Sequence, residues 1–144
     1  MPKPNTLKNH PIFKKLSNLG LNNGEYIIMS SGPMFALGIR DISELDDLDI
    51  YVSQSGWKKV QSLAPNIYDE GWNANHLYLF NNQIEIWDNW GPSKYDFNDL
   101  MSRVLVVDNY NFSSINDTIK WKKEMGRDKD IKHLDMIYKY LSKK

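Results

Sequence analysis

Apolar positions along the chain change their spacing several times, and each change marks a predicted element. An apolar residue at every third or fourth position favours a helix, and a short apolar or alternating run between turn residues favours a strand. The predicted helices span 11–19, 33–37, 55–63, 97–103, 114–125 and 128–141. The predicted strands span 25–30, 48–53, 66–69, 77–80, 83–87 and 104–107. This mixture predicts an α/β (α+β) fold with a small mixed β-sheet flanked by helices.

Turn and capping residues refine the boundaries of these elements. Asn81 and Asn82 favour a two-residue hairpin turn between the fourth and fifth strands, because asparagine tolerates positive φ. Ser55 is the predicted N-cap of the third helix. Gly126 separates the last two helices.

Length and composition limit the architecture to one domain, 1–144. Residues 1–9 are a candidate flexible tail of that domain. The chain has no cysteine, which excludes disulfides and thiolate zinc sites. It has no apolar stretch long enough for a bilayer and begins without the apolar region of a signal peptide. We therefore expect a cytoplasmic location and no membrane partner.

The charges balance overall but are unevenly distributed. Eighteen basic and eighteen acidic residues give a formal net charge of zero. Residues 41–49 carry five acidic side chains and no basic one, whereas residues 114–144 carry nine basic and five acidic side chains. An acidic centre beside basic flanks suits a site that binds metal and polyphosphate together. The plainer interpretation is two solvated basic helices.

Two aspartates stand at the start of the second predicted strand. Asp47 and Asp49 are two positions apart, so their side chains project from one face while Leu48 and Ile50 turn to the other. Adjacent carboxylates repel unless a cation lies between them, and oxygen ligands of this kind suit Mg²⁺. The alternative is a solvated turn before a strand, where aspartate is common.

A third acid occurs on the fifth predicted strand. Ile84 and Ile86 share one face of that strand and Glu85 lies on the other. If this strand pairs beside strand 48–53, three carboxylates converge on one face of the sheet. Such a cluster can hold two divalent ions, activate a hydroxyl and neutralise a triphosphate. Taken alone, Glu85 would be an ordinary exposed strand residue.

These motifs together resemble the nucleotidyltransferase superfamily with the polymerase-β-type core. The matching features are the Ser31-Gly32 turn, the Asp47-Leu48-Asp49 strand and the later Ile84-Glu85-Ile86 strand. The segment 119–137 is similar to the closing helical segment of many such proteins, where a lysine and an Arg-x-Lys-Asp run precede a final helix. The resemblance covers the chain from residue 25 onward. Its closest form is the minimal group that includes antibiotic and toxin–antitoxin nucleotidyltransferases.

The resemblance implies a transfer reaction that depends on Mg²⁺ or Mn²⁺. A nucleoside monophosphate group would pass from a nucleoside triphosphate such as ATP to an acceptor hydroxyl, and pyrophosphate would leave. Asp47 and Asp49 would bind the ions that bridge the triphosphate. Glu85 would complete the shell of the second ion and help to deprotonate the acceptor, so all three acids are candidate catalytic and metal residues.

The same resemblance implies a set of nucleotide-binding residues. Backbone N–H groups of the Ser31-Gly32 turn would hold the β- and γ-phosphates. Lys122, Arg127 and Lys129 would face the phosphates as positive groups. The ordinary interpretation is a strand-to-helix turn for the first pair and surface charges for the other three.

Other polar and aromatic residues receive plain interpretations. Arg40 is expected to pair with Asp41. His76 has no evident partner, and His133, among charged helix residues, is expected to be exposed. Asp130 is expected to cap or pair within its helix.

Trp87 and Trp90 follow Glu85 closely. They could stack a base, although packing in the core or at its rim is their more ordinary role.

Two other function classes stay open at this stage. The chain could be a catalytically inactive nucleotidyltransferase fold that acts as a binding protein or antitoxin-type partner. It could also be a hydrolase or phosphotransferase that uses the same acids with another leaving group. The acceptor could be a small molecule, a tRNA end or a protein side chain. Because the chain is short, a second subunit could complete the site, which predicts a homodimer.

Overall fold

The computed structural model describes residues 6–144. Within this range six α-helices and one seven-stranded sheet form a mixed α/β fold, which confirms the predicted class. The helices are α1 Pro11–Ser17, α2 Gly32–Ala36, α3 Gln54–Val60, α4 Phe97–Met101, α5 Ile115–Met125 and α6 Asp128–Ser142. The strands are β1 Tyr26–Ile28, β2 Leu48–Val52, β3 Ile67–Asp69, β4 Ala74–Leu79, β5 Ile84–Trp87, β6 Leu105–Val107 and β7 Tyr110–Phe112.

Strand β2 lies at the centre of the sheet, whose order is β3-β4-β5-β2-β1-β7-β6. It pairs antiparallel with β1 and parallel with β5, and the second pairing sets Leu48 opposite Ile84 and Asp49 opposite Glu85. The pairing that the sequence analysis made conditional, between the Asp49 and Glu85 strands, is therefore present.

The two faces of the sheet are covered by different layers. Leu48 and Ile50 of β2 lie on one face, in the larger core that also contains Phe13 of α1. Tyr51 lies on the opposite face, in a second core that contains Trp121 of α5. Because side chains alternate along a strand, Asp49 and Glu85 share the face of this second, tryptophan-rich core.

The turns between strands differ from the sequence prediction. Leu79 pairs with Ile84, so the β4–β5 loop has four residues and not two, and Phe80, Asn81 and Asn82 all have positive φ. Strand β7 was missed entirely. Its signal was the Asp108-Asn109 pair, since both residues have positive φ and join β6 to β7 as a two-residue hairpin.

Two smaller predictions are also corrected. The N-cap of α3 is Ser53, whose Oγ accepts a hydrogen bond from Gly56 N, and not Ser55. Residues 1–5 of the predicted tail lie outside the described residues. Residues Leu7–Asn9 form a short 3₁₀ helix in which Leu7 is fully buried, so this part of the segment is integrated into the core.

Helices α5 and α6 form a hairpin that packs behind the site. Ser114 caps α5 by accepting from Asp117 N, and Gly126 ends it in the left-handed conformation, φ 60°, as the sequence predicted. Asp130 Oδ2 accepts a hydrogen bond from Arg127 N at the start of α6. Among residues 6–144, every helix is too short or too polar to traverse a lipid bilayer.

Candidate functional site

Asp47, Asp49 and Glu85 meet where β2 and β5 run side by side. Asp49 lies on β2 in register with Glu85 on β5, and the two carboxyl groups interact electrostatically. Asp47 immediately precedes β2 and acts electrostatically on both.

Burial and like charge perturb all three acids. Burial, together with the charges of Glu85 and Asp47, raises the pKa of Asp49 to about 7. Burial also raises the pKa of Glu85. Desolvation and the charge of Asp46 raise the pKa of Asp47, although Lys129 and Arg40 oppose the shift. The cluster therefore binds a proton near neutral pH and would exchange it for a cation.

Two cavities open beside the acids. The first, which we call the polar cavity, has a volume of about 270 Å³. Its polar walls include Ser31, Gly32, Arg40, Lys129 and His133. The second, which we call the tryptophan cavity, has a volume of about 450 Å³. Its aromatic walls are formed by His76, Tyr78 and the tryptophans Trp72, Trp87, Trp90 and Trp121.

The two cavities share a border at the acids. Asp47, Asp49 and Lys129 line both of them, as does Ser30. Glu85 and Arg127 line only the tryptophan cavity, whereas Ser31 and Gly32 line only the polar cavity. The predicted site residues are therefore distributed on two sides of the Asp47–Asp49 pair.

The Ser31-Gly32 turn joins β1 to the short helix α2. Ser30 has a positive φ of 59°, which turns the chain sharply before the helix. A Cβ atom at position 32 would collide with the Ile28 side chain, so glycine allows the turn to pack directly on β1. The sequence therefore needs a glycine here for close packing, whatever the turn binds.

Lys122 lines neither cavity, although the resemblance implied that it faces the nucleotide phosphates. Its side chain is 1% exposed, and Nζ lies 3.2 Å from Ser31 Oγ, 3.0 Å from His133 Nδ1 and 3.7 Å from Asp130 Oδ1. Burial lowers the pKa of Lys122 to about 8. The lysine thus links the α5–α6 hairpin to the turn before α2.

The partners of Lys122 are also more enclosed than expected. Asp130 is fully buried and its carboxylate accepts from Arg127 Nε at 2.6 Å, a pairing within the helix that agrees with the sequence interpretation. His133 is half-buried and not exposed, and burial together with the Lys122 charge lowers its pKa to about 4. A neutral His133 ring can accept a hydrogen bond from Lys122 Nζ at its Nδ1 atom.

The other predicted cations occupy different positions around the acids. Lys129 lines both cavities, and Arg127 lines the tryptophan cavity with its guanidinium 5.4 Å from the Trp121 ring. Sequence reasoning missed Arg40, which was assigned to a pair with Asp41. Arg40 instead lines the polar cavity, 3.7 Å from Glu44 and 4.6 Å from the Phe35 ring.

His76 is the second residue that sequence reasoning missed. Its Nδ1 lies 2.7 Å from Glu85 Oε2, and its ring stacks on Trp87 with centroids 4.0 Å apart. Burial lowers the pKa of His76, so the imidazole is mostly neutral at pH 7. The only sequence signal was its place on a strand next to the Glu85 strand, with the side chain on the same face.

The acids fit a cation that brings part of its own ligand shell. Among residues 6–144, no group of three or more His, Cys, Asp or Glu side chains is arranged to hold a metal ion alone. Mg²⁺ commonly takes only one or two carboxylates and completes its octahedral shell with water and phosphate oxygens. Asp47 and Asp49, at the border of both cavities, offer such a partial shell.

Comparison with known proteins adds no assignment, because no family model, no curated protein and no solved structure matches this chain.

Removing the carboxylate at position 49 should stabilise the metal-free protein at high pH. Burial raises the folded-state pKa of Asp49 to about 7. The folded protein therefore binds the Asp49 proton more tightly than the unfolded chain does. This contribution to stability is complete below the unfolded-state pKa and is lost as the pH rises through 7. We expect Asp49→Asn to raise the free energy of unfolding by about 1–3 kcal/mol at pH 8 and by much less at pH 4. Urea unfolding with a chelator present measures this.

Glu70→Gln is the matched control, because Glu70 is an exposed carboxylate that lines neither cavity. It should change the free energy of unfolding equally little at both pH values. Equal effects of Asp49→Asn at pH 4 and pH 8 would contradict the assigned electrostatics.

Asp130→Asn should destabilise the fold strongly. It leaves the buried Lys122 cation and the Arg127 guanidinium without their shared carboxylate, and we expect a loss of about 2–4 kcal/mol in urea unfolding. Asp135→Asn on the same helix breaks an exposed pair with Lys139 and should cost less than about 1 kcal/mol. Similar losses in the two variants would show that the buried network is not needed for stability.

Proposed function

We propose that this protein is a metal-dependent nucleotidyltransferase that moves a nucleoside monophosphate group from a nucleoside triphosphate to an acceptor hydroxyl. The observation that carries the proposal is the Asp47–Asp49 pair at the border of two cavities, with Glu85 beside it on the second. One cavity is lined by a glycine turn, Arg40 and Lys129 together with further carboxylates, and the other by aromatic rings. In this arrangement a polyphosphate would bind in the first cavity and a second substrate in the other, with the carboxylates between them.

The acids are the candidate holders of the cation. Asp47 and Asp49 would hold Mg²⁺ or Mn²⁺ together with phosphate oxygens. When bound, the ion would neutralise charge on the triphosphate and favour ionisation of the acceptor hydroxyl. The raised pKa of Asp49 supports this role, because a site that protonates at neutral pH is one that lacks a positive charge.

The remaining residues have roles that follow from their positions. The acceptor oxygen forms a bond to the α-phosphorus, the bond from that phosphorus to the bridging oxygen breaks, and pyrophosphate leaves. Glu85 takes the hydroxyl proton, and burial, which raises its pKa, makes it a stronger base than an exposed carboxylate. Arg40 and Lys129 on the polar cavity stabilise the negative charge of the leaving group.

Lys122 has a different role from the clamp that the resemblance implied. Because its Nζ is buried against Ser31, His133 and Asp130, it holds the turn and does not contact the triphosphate in this arrangement. Lys129, and not Lys122, is then the cation of the α5–α6 hairpin nearest the reacting phosphate.

The second candidate is an inactive nucleotide-binding protein of the same fold. It is favoured by the hydrogen bond from His76 to Glu85, which occupies one oxygen of the proposed base. In that case the two cavities would bind nucleotide and a partner group without turnover.

One titration and one product assay test the proposal. Isothermal titration of each nucleoside triphosphate with Mg²⁺ or Mn²⁺ should show binding that needs the metal, weakened at least tenfold by Asp47→Asn or Asp49→Asn. Release of pyrophosphate, followed with small hydroxyl compounds, RNA or the protein itself as acceptor, should be lost in both variants. Intact mass of each acceptor identifies the transferred group.

Glu70→Gln should leave nucleotide binding within about twofold, since this exposed residue lines neither cavity. Binding without pyrophosphate for any acceptor would favour the inactive alternative. Metal-independent binding, or unchanged binding in both aspartate variants, would overturn the proposed site.

A further inference from the structure

The tryptophan cavity has a composition that the acid cluster alone does not explain. Four of the five tryptophans of the chain line it, and Trp57 is the one that does not. Trp72 contacts Trp87 and Trp90 with ring centroids 4.5 and 4.9 Å apart. Trp72 is also half-exposed, so it forms an accessible aromatic surface at the cavity.

One polar group of this cluster lacks a protein partner. Trp121 Nε1 donates to Gly91 O at 2.7 Å, but the fully buried Nε1 of Trp90 has no hydrogen-bond partner. Buried indole N–H groups usually find an acceptor. Trp90 therefore carries an unsatisfied donor in the wall of the tryptophan cavity.

The direction of the transfer selects which substrate enters this cavity, an inference that rests on the proposed function. In an in-line displacement, the attacking and leaving oxygens lie on opposite sides of the phosphorus. Ser31, Gly32 and Arg40 line only the polar cavity, where the leaving pyrophosphate belongs. Glu85, the proposed base, lines only the tryptophan cavity, so the attacking hydroxyl belongs there.

The charges of the cavity restrict the kind of acceptor. Its lining contains four carboxylates, from Asp47, Asp49, Asp69 and Glu85, against two cations, and the polar cavity has the same balance. A triphosphate would bring a divalent ion to such a lining, whereas an acceptor does not. One of those cations, Arg127, is already paired with Asp130. The triphosphate on the other side, still anionic with one divalent ion bound, adds negative charge. An anionic acceptor would therefore meet repulsion.

We propose that the tryptophan cavity binds the acceptor, and that the acceptor is a small, neutral or cationic molecule with an apolar ring face and a free hydroxyl. The ring face stacks on Trp72, and the hydroxyl lies towards Glu85. The volume of about 450 Å³ is that of a small-molecule site. A tRNA end or another polyanion does not fit this charge pattern.

Intrinsic fluorescence of the metal-free and nucleotide-free protein tests the cavity directly. Trp57→Phe removes the one tryptophan outside the cavity, so the remaining emission comes from its walls. The probes are three matched compounds: phenyl β-glucopyranoside, its cationic 2-amino-2-deoxy analogue and the anionic phenyl β-glucuronide. We expect saturable changes with the first two and at least tenfold weaker binding of the third.

Variants of the wall show where the probes bind. Trp72→Ala should weaken binding of the neutral and cationic probes at least tenfold. If Trp72→Ala does not fold, Tyr78→Ala, which removes an exposed ring at the cavity, should weaken their binding measurably. Leu63→Ala removes an exposed apolar side chain that does not line the cavity and should leave binding unchanged.

The outcomes separate this inference from the proposed function. Tighter binding of the glucuronide or of a short oligoribonucleotide than of the neutral probe would overturn the acceptor class. The absence of saturable binding by any probe, or binding unaffected by both wall variants, would overturn the cavity assignment. Probe binding by a protein that never releases pyrophosphate would support the cavity while the proposed transfer fails.

Discussion

The structure depends on two acidic side chains being held together by strand pairing. Because β2 and β5 run parallel with Asp49 opposite Glu85, the backbone hydrogen bonds of the sheet hold these two residues side by side on one face. Burial, together with the charges of Glu85 and Asp47, raises the pKa of Asp49 to about 7. Two acidic groups therefore lie side by side at the centre of the sheet, in positions where a cation would relieve their repulsion.

A second, buried network connects that centre to the C-terminal hairpin. Lys122 on α5 contacts Ser31 before α2 as well as Asp130 and His133 on α6. The turn beside the acids is thereby fixed by Lys122 and Asp130, which line neither cavity, and by His133, which also lines the polar cavity. Buried ionic groups of this kind are weak sources of net stability but can fix one arrangement. The same hairpin also places Lys129 at the border of both cavities.

Local pattern was enough to predict the acids and most of the elements. The alternation around Asp49 and around Glu85 is a property of five consecutive residues, and it predicts which face each side chain takes. The burial of Lys122 depends on residues far apart in sequence, and the contact from His76 to Glu85 depends on the pairing of two strands. A single lysine or histidine in the sequence does not indicate such a contact. Strand β7 was missed because Asn111 interrupts its short apolar pattern, although the Asp108-Asn109 pair before it is a recognisable hairpin signal.

The titration of Asp49 and Glu85 tests the central claim most directly. Carbon-detected NMR of the side-chain carboxyl groups, in metal-free protein, should show Asp49 titrating near pH 7. Addition of Mg²⁺ with a non-hydrolysable nucleoside triphosphate should move that midpoint down by more than one pH unit, because the cation favours the ionised carboxylate. Titration of Asp49 near pH 4 without metal, or a midpoint that Mg²⁺ and nucleotide leave unchanged, would contradict the account.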